Sequence, residues 1–176
     1  EWEGEDIWQI LFWRAFFFSM TLSLFLYFTY KNKALFIIKK SGIPGIVGGI
    51  AMAIGFTAYV FAMSKTTVAN VLFIISTQTI WLALFGYFFL KEKISFKTFL
   101  SIILAMIGIS VMIGGSLSTG SMQGNLVALF IPINFAFLIL LIRKYSNLDL
   151  IPALFYGGLI ITIVAFFMSE TILISR

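Results

Sequence analysis

The chain has 176 residues, 61% of them hydrophobic and 11% charged, with a net charge of +5. Soluble domains run near ~45–50% apolar and ~25% charged, so this composition excludes a disordered chain, a secreted disulfide scaffold and a nucleic-acid domain. Cysteine and histidine are both absent, which removes thiol nucleophiles, the usual zinc sites and every Ser–His or Cys–His pair.

A transmembrane helix needs ~20 mostly apolar residues, and the chain supplies six such stretches, over residues 7–30, 43–63, 67–90, 96–114, 122–142 and 150–169. The predicted fold is all-α, a polytopic membrane helix bundle. An open sheet would leave backbone groups unsatisfied in lipid, and barrel strands would alternate over ~10 residues. Ser41-Gly42-Ile43-Pro44-Gly45 is a breaker cluster with proline near a helix start. Residues 114–121 read as a flexible, uncharged loop.

The loop charges orient the bundle. Lys31, Lys33, Lys39 and Lys40 follow the first span, Lys91, Lys93 and Lys97 the third, and Arg143 and Lys144 the fifth. Nine of the twelve basic residues thus lie on one side, and the positive-inside rule makes loops 31–42, 91–95 and 143–149 cytoplasmic. The acidic residues Glu1, Glu3, Glu5 and Asp6 then lie outside. A start on the outside without a signal peptide implies a further helix upstream.

In lipid, small residues that let backbones approach drive much of helix association. Gly45 and Gly49, Ala51 and Gly55 form such pairs in the second span, and Ser101, Ala105 and Gly108 form a stripe in the fourth. The openings of the first and sixth spans correspond: Asp6-Ile7-Trp8-Gln9-Ile10-Leu11-Phe12-Trp13 against Asp149-Leu150-Ile151-Pro152-Ala153-Leu154-Phe155-Tyr156. The two spans lie five apart and enter from opposite sides, the relation of an inverted-topology repeat.

Arg14 is the one charge well inside a span, about 10 Å along the helix from Ile7 at ~1.5 Å per residue, since Lys97 stands at the edge of its own. At mid-span an arginine costs ~2.5–3.5 kcal/mol, so it is expected to face the bundle interior or water, where its guanidinium suits a carboxylate or phosphate. Snorkelling to the headgroups is the alternative. Asn70, Thr77, Gln78 and Trp81 share one face of the third span, which suits either a polar cavity wall or interhelical hydrogen bonds. Tyr59, Asn134 beside the helix-bending Pro132, and Tyr156 are further cavity candidates, while Trp8 and Trp13 fit an interfacial aromatic belt. Glu92 sits among lysines at the end of the third span. Aspartate, glutamate and histidine are missing from the span cores, so no proton carrier is evident.

The chain resembles the drug/metabolite transporter superfamily, and within it the EamA-like domain. The resemblance rests on Lys65-Thr66-Thr67-Val68-Ala69-Asn70, then Leu90-Lys91-Glu92-Lys93-Ile94-Ser95, then Ile107-Gly108-Ile109-Ser110-Val111. Gln9-Ile10-Leu11-Phe12-Trp13-Arg14 is similar to the family's second helix. The family often has proline near the middle of its fourth helix, and Gln78-Thr79 stands there in this chain, so the kink that the resemblance implies lacks its proline.

The resemblance implies ten helices in two inverted five-helix repeats around a central cavity. Residues 1–117 would be a first repeat lacking its first helix, and 118–176 the first two helices of the second. It also implies a capping or gating role for Glu92, with Gly108 and Pro132 as structural or gating positions. The expected function, by the resemblance, is secondary transport, outward in direction, of a small polar or anionic metabolite such as an amino acid, by alternating access in the plasma (inner) membrane. A non-transporting scaffold subunit is the alternative, and an intramembrane enzyme is poorly supported without histidine or cysteine. The expected partners are the lipid bilayer and the metabolite, with no nucleic acid, no cofactor and no metal, and with a homodimer left open.

Overall fold

A computed structural model describes residues 7–93, 95–116 and 121–169, without the side chains of 32, 105 and 108–116. The described residues form seven helices: α1 (Ile7–Tyr30), α2 (Ala34–Lys65), α3 (Val68–Ser76), α4 (Gln78–Leu90), α5 (Phe96–Ser116), α6 (Met122–Lys144) and α7 (Ile151–Met168). A 3₁₀ turn, Lys31–Lys33, joins α1 to α2. Among the described residues there is no strand.

Five helical stretches are long and apolar enough to cross a membrane: Ile7–Tyr30, Ala34–Lys65, Val68–Leu90, Met122–Lys144 and Ile151–Met168. They match five of the six expected spans. The remaining one, expected at 96–114, coincides with α5, whose C-terminal side chains fall outside the described set. Large apolar side chains stand exposed along these helices, Phe28, Phe88 and Phe167 at 71%, 68% and 79% among them. On a water-soluble monomer such a surface would aggregate; on spanning helices it is the face offered to acyl chains.

Two expected loops are corrected. Residues 34–41 are helical, not loop, and Gly42 (φ 52, ψ −146) separates them from the spanning part of α2. That backbone lies where a side chain would clash, so glycine is required, and Pro44 then falls in the first turn of the new segment, where its missing N–H does no harm. At the other loop, Arg143 and Lys144 belong to the last turn of α6; basic residues there favour helix by meeting free carbonyls.

The described residues divide into two compact units, those up to 57 together with those from 145 onward, and those from 58 to 144. The division cuts α2 and follows packing, whereas the expected repeat boundary at 117/118 lies outside the described residues.

In the first unit α1 packs on α7. Leu11, Ala15 and Ser19, four apart, form the buried stripe of α1. Ser19 lies so close to Gly158 of α7 that a Cβ there would collide with its hydroxyl. The small-residue pair expected in α2 also packs: both Gly45 and Gly49 are buried. A Cβ on Gly49 would meet Tyr156 Cβ at 2.5 Å, Ala153 O at 3.1 Å and Gly157 N at 3.1 Å. Dispersion between close backbones holds these helices together, because burial from lipid provides no hydrophobic gain.

In the second unit α3 and α4 pack on α6. Ala62, Val71, Ile74, Ala128 and Ile131 form its apolar core. Gly124 opens α6 to the end of α2, where a Cβ would stand 2.8 Å from Lys65 C and 2.9 Å from Thr66 N.

Candidate functional site

The third span is broken. Thr77 has a helical φ but a ψ of −7°, and it ends α3 and precedes α4. Neither glycine nor proline occurs at this point. Instead Ser76 Oγ donates to Phe73 O (2.6 Å), Thr77 Oγ1 to Ile74 O (2.7 Å) and Thr79 Oγ1 to Ser76 O (3.4 Å). Three hydroxyls thus bond carbonyls one turn back, and the Thr77 amide shifts to an i−3 bond with Ile74 O (3.1 Å). Such side-chain bonds compete with the helical ladder and bend it. The missing proline is replaced by hydroxyls.

The start of α3 is a polar node. The Thr67 side chain caps the helix, accepting from Asn70 N at 3.3 Å. Thr66 Oγ1 donates to Asn125 Oδ1 (2.7 Å), and Asn70 Nδ2 donates to both Thr66 Oγ1 (3.3 Å) and Asn125 Oδ1 (3.4 Å). Asn70 is 1% exposed, and its Oδ1 has no hydrogen-bond partner among the described residues. The sequence singled out Asn70 but not Thr66 or Asn125. Thr66 sits in the quoted motif and Asn125 in an apolar run, and their pairing spans 59 residues, a separation that no local pattern reports.

Below the break lies a cavity of about 290 Å³ lined by Thr79, Leu82, Ala83, Glu92, Lys93, Thr98 and Arg143. Lys91 ends α4 in a left-handed conformation (φ 55), and the Glu92 amide returns to Gly86 O (3.1 Å), a C-cap geometry usually left to glycine or asparagine. This return lays the Glu92 side chain against α4, where a Cβ on Gly86 would come within 2.8 Å of Glu92 Oε2. Arg143 Nη1 donates to the same oxygen at 3.2 Å, with both side chains about half exposed. Solvated pairs of this kind contribute ~0–1 kcal/mol to stability, so this one serves position more than stability. The wall therefore carries an acid, two bases and two hydroxyls beside leucine and alanine. The sequence places Glu92 among lysines and gives no sign of its pairing with Arg143, which there marks only topology.

The other candidates are distributed. Thr77 and Gln78 lie at the break, half-buried; Trp81 is half-buried with its ring 6.3 Å from that of Phe85. The cavity is lined by the neighbouring stripe of Thr79, Leu82 and Ala83, which does not include them. Tyr59 packs on the apolar core of the second unit. Asn134 is buried in α6, which runs unbroken through the buried Pro132. Arg14 and Tyr156 belong to the first unit. Arg14 is exposed, off the stripe that α1 packs, and is not in the interior of that unit. Tyr156 donates its hydroxyl to Ile38 O at 3.2 Å, fixing the helical segment before Gly42 to α7. Gly108 lies in α5, with its surroundings outside the described residues.

Comparison with known families finds the EamA-like transporter family over residues 3–114, well over half of the chain. Searches of curated proteins and of solved structures find no match. The family match and the spanning helices agree: the chain belongs to the EamA-like transporter family, and it is a multi-pass helical membrane protein of the drug/metabolite transporter kind.

Proposed function

We propose that the chain forms part of a ten-helix secondary carrier of two inverted repeats, supplying the first repeat without its first helix at 1–117 and the first two helices of the second at 118–176, and that the carrier exports a small polar or anionic metabolite such as an amino acid. Its membrane is the plasma membrane, with the lysine-rich loops cytoplasmic. The observation that carries this reading is the broken third span beside a cavity walled by the Glu92–Arg143 pair and Lys93. Interrupted helices at repeat interfaces are how carriers present backbone and side-chain polarity to a ligand. An amino acid offers a carboxylate for Lys93 and an ammonium for Glu92. The corresponding openings of the first and sixth spans, five apart and entering from opposite sides, support the repeat. Alternating access then rocks the repeats about the site, with Glu92–Arg143 breaking and re-forming as a cytoplasmic gate.

The test is flux of labelled amino acids from proteoliposomes bearing the whole protein. Glu92→Gln and Arg143→Gln each lower flux about tenfold, equivalent to ~1.4 kcal/mol, with unchanged insertion, and the double reversal Glu92→Arg/Arg143→Glu recovers part of it. A scaffold subunit would be indifferent to all three, and that result overturns the proposal.

A further inference from the structure

The first unit holds a second cavity, of about 540 Å³, lined by Ser23, Leu26, Tyr27, Lys31, Ala34, Leu35, Ile38 and Phe155. This volume is within the ~300–1,000 Å³ of small-molecule sites, yet the walls are unlike those of the Glu92 cavity. They are aliphatic and aromatic along their length, with a single cation at Lys31.

Three features make it a built groove. The Tyr156 hydroxyl bond to Ile38 O holds one wall to α7, and Ser41 Oγ donates to the same carbonyl at 2.7 Å. At the other end Tyr30 donates its hydroxyl to the Asp149 carboxylate, which also accepts from Ile151 N at 3.0 Å. Lys31 stands on a left-handed backbone (φ 47) that begins the 3₁₀ turn between the two walls. Asp149 is the one acid at this turn among the described residues, and it is already engaged. The cation of Lys31 is left without a protein counter-ion among the described residues.

The surroundings say what neutralises it. Lys33, Lys39 and Lys40 are also exposed, and Leu35 and Phe36 stand 73% and 64% exposed between them. A short helix carrying apolar side chains flanked by lysines is the pattern of a segment lying at a bilayer surface, and basic pockets at that depth take anionic headgroups. We propose that this groove binds one anionic phospholipid, its phosphate on Lys31 and an acyl chain along Leu26, Ala34, Ile38 and Phe155. The inference is independent of what the protein carries.

The test uses the purified protein in nanodiscs of phosphatidylcholine with or without phosphatidylglycerol, counting lipids retained by native mass spectrometry. Phosphatidylglycerol is retained about fivefold over phosphatidylcholine, the worth of one lysine near an anionic surface. Lys31→Gln abolishes this preference and Lys33→Gln leaves it. Ala34→Trp keeps every charge but fills the groove, and it lowers retention too. Equal retention of the two lipids by the unaltered protein overturns the proposal whether or not any variant folds. Equal loss in Lys31→Gln and Lys33→Gln would mean diffuse charge attraction and also overturns it. So does displacement of the lipid by inorganic phosphate, which would mark a site for soluble anions, or full retention in Ala34→Trp.

Discussion

The two units hold their helices together by different means. In the first, Gly49 and Gly157 bring backbones into contact, Gly158 makes room for the Ser19 side chain, and polar bonds lie at the ends. In the second, besides an apolar core and the close approach at Gly124, the helices meet through a polar node of Thr66, the buried Asn70 and Asn125, and through an ion pair at Glu92 and Arg143. Lipid permits both, because its tails reward neither burial nor apolarity as such. The glycine contact is rigid: its geometry has no alternative partner. The polar contacts are exchangeable, since hydroxyls, amides and charges can trade one another for water or ligand. The second unit is accordingly the one whose helix contacts can exchange partners.

Three substitutions probe this contrast. Gly49→Leu should have the largest effect, destabilising the protein by ~3 kcal/mol or more, because the clash is with backbone at Ala153 and Gly157 as well as with Tyr156. Thermal unfolding in detergent checks it, and a loss under ~1 kcal/mol would mean the contact is soft. Asn125→Leu should come next, at ~1–3 kcal/mol, since it leaves the buried Asn70 amide with Thr66 alone. If the loss is negligible, the node exchanges partners even more readily than the comparison requires. Thr77→Ala should leave the unfolding free energy within ~0.5 kcal/mol, as helix propensity gained offsets a hydrogen bond lost. It should still slow hydrogen exchange at the Trp81 amide, whose bond to Thr77 O is now a long 3.4 Å. Unchanged exchange would show that the hydroxyls do not cause the break.

The spans were legible because a membrane imposes one length and one polarity on every crossing. Gly45 and Gly49 were legible too, since close approach needs small residues wherever it occurs. The break at Thr77 was hidden: serine and threonine are ordinary helix residues, and only the simultaneous turn-back of three hydroxyls disrupts the ladder. The helix over 34–41 was hidden by its lysines, which mark a side of the membrane without reporting secondary structure. In the sequence Arg143 marks only topology, because its partner, Glu92, lies 51 residues away.

A prolyl break in a membrane helix is permanent, because the ring has replaced the amide hydrogen that would close the ladder. Thr77 keeps its hydrogen and currently gives it to Ile74 O. The discontinuity is held by the hydrogen bonds of Ser76, Thr77 and Thr79, and no covalent constraint stands between α3 and α4.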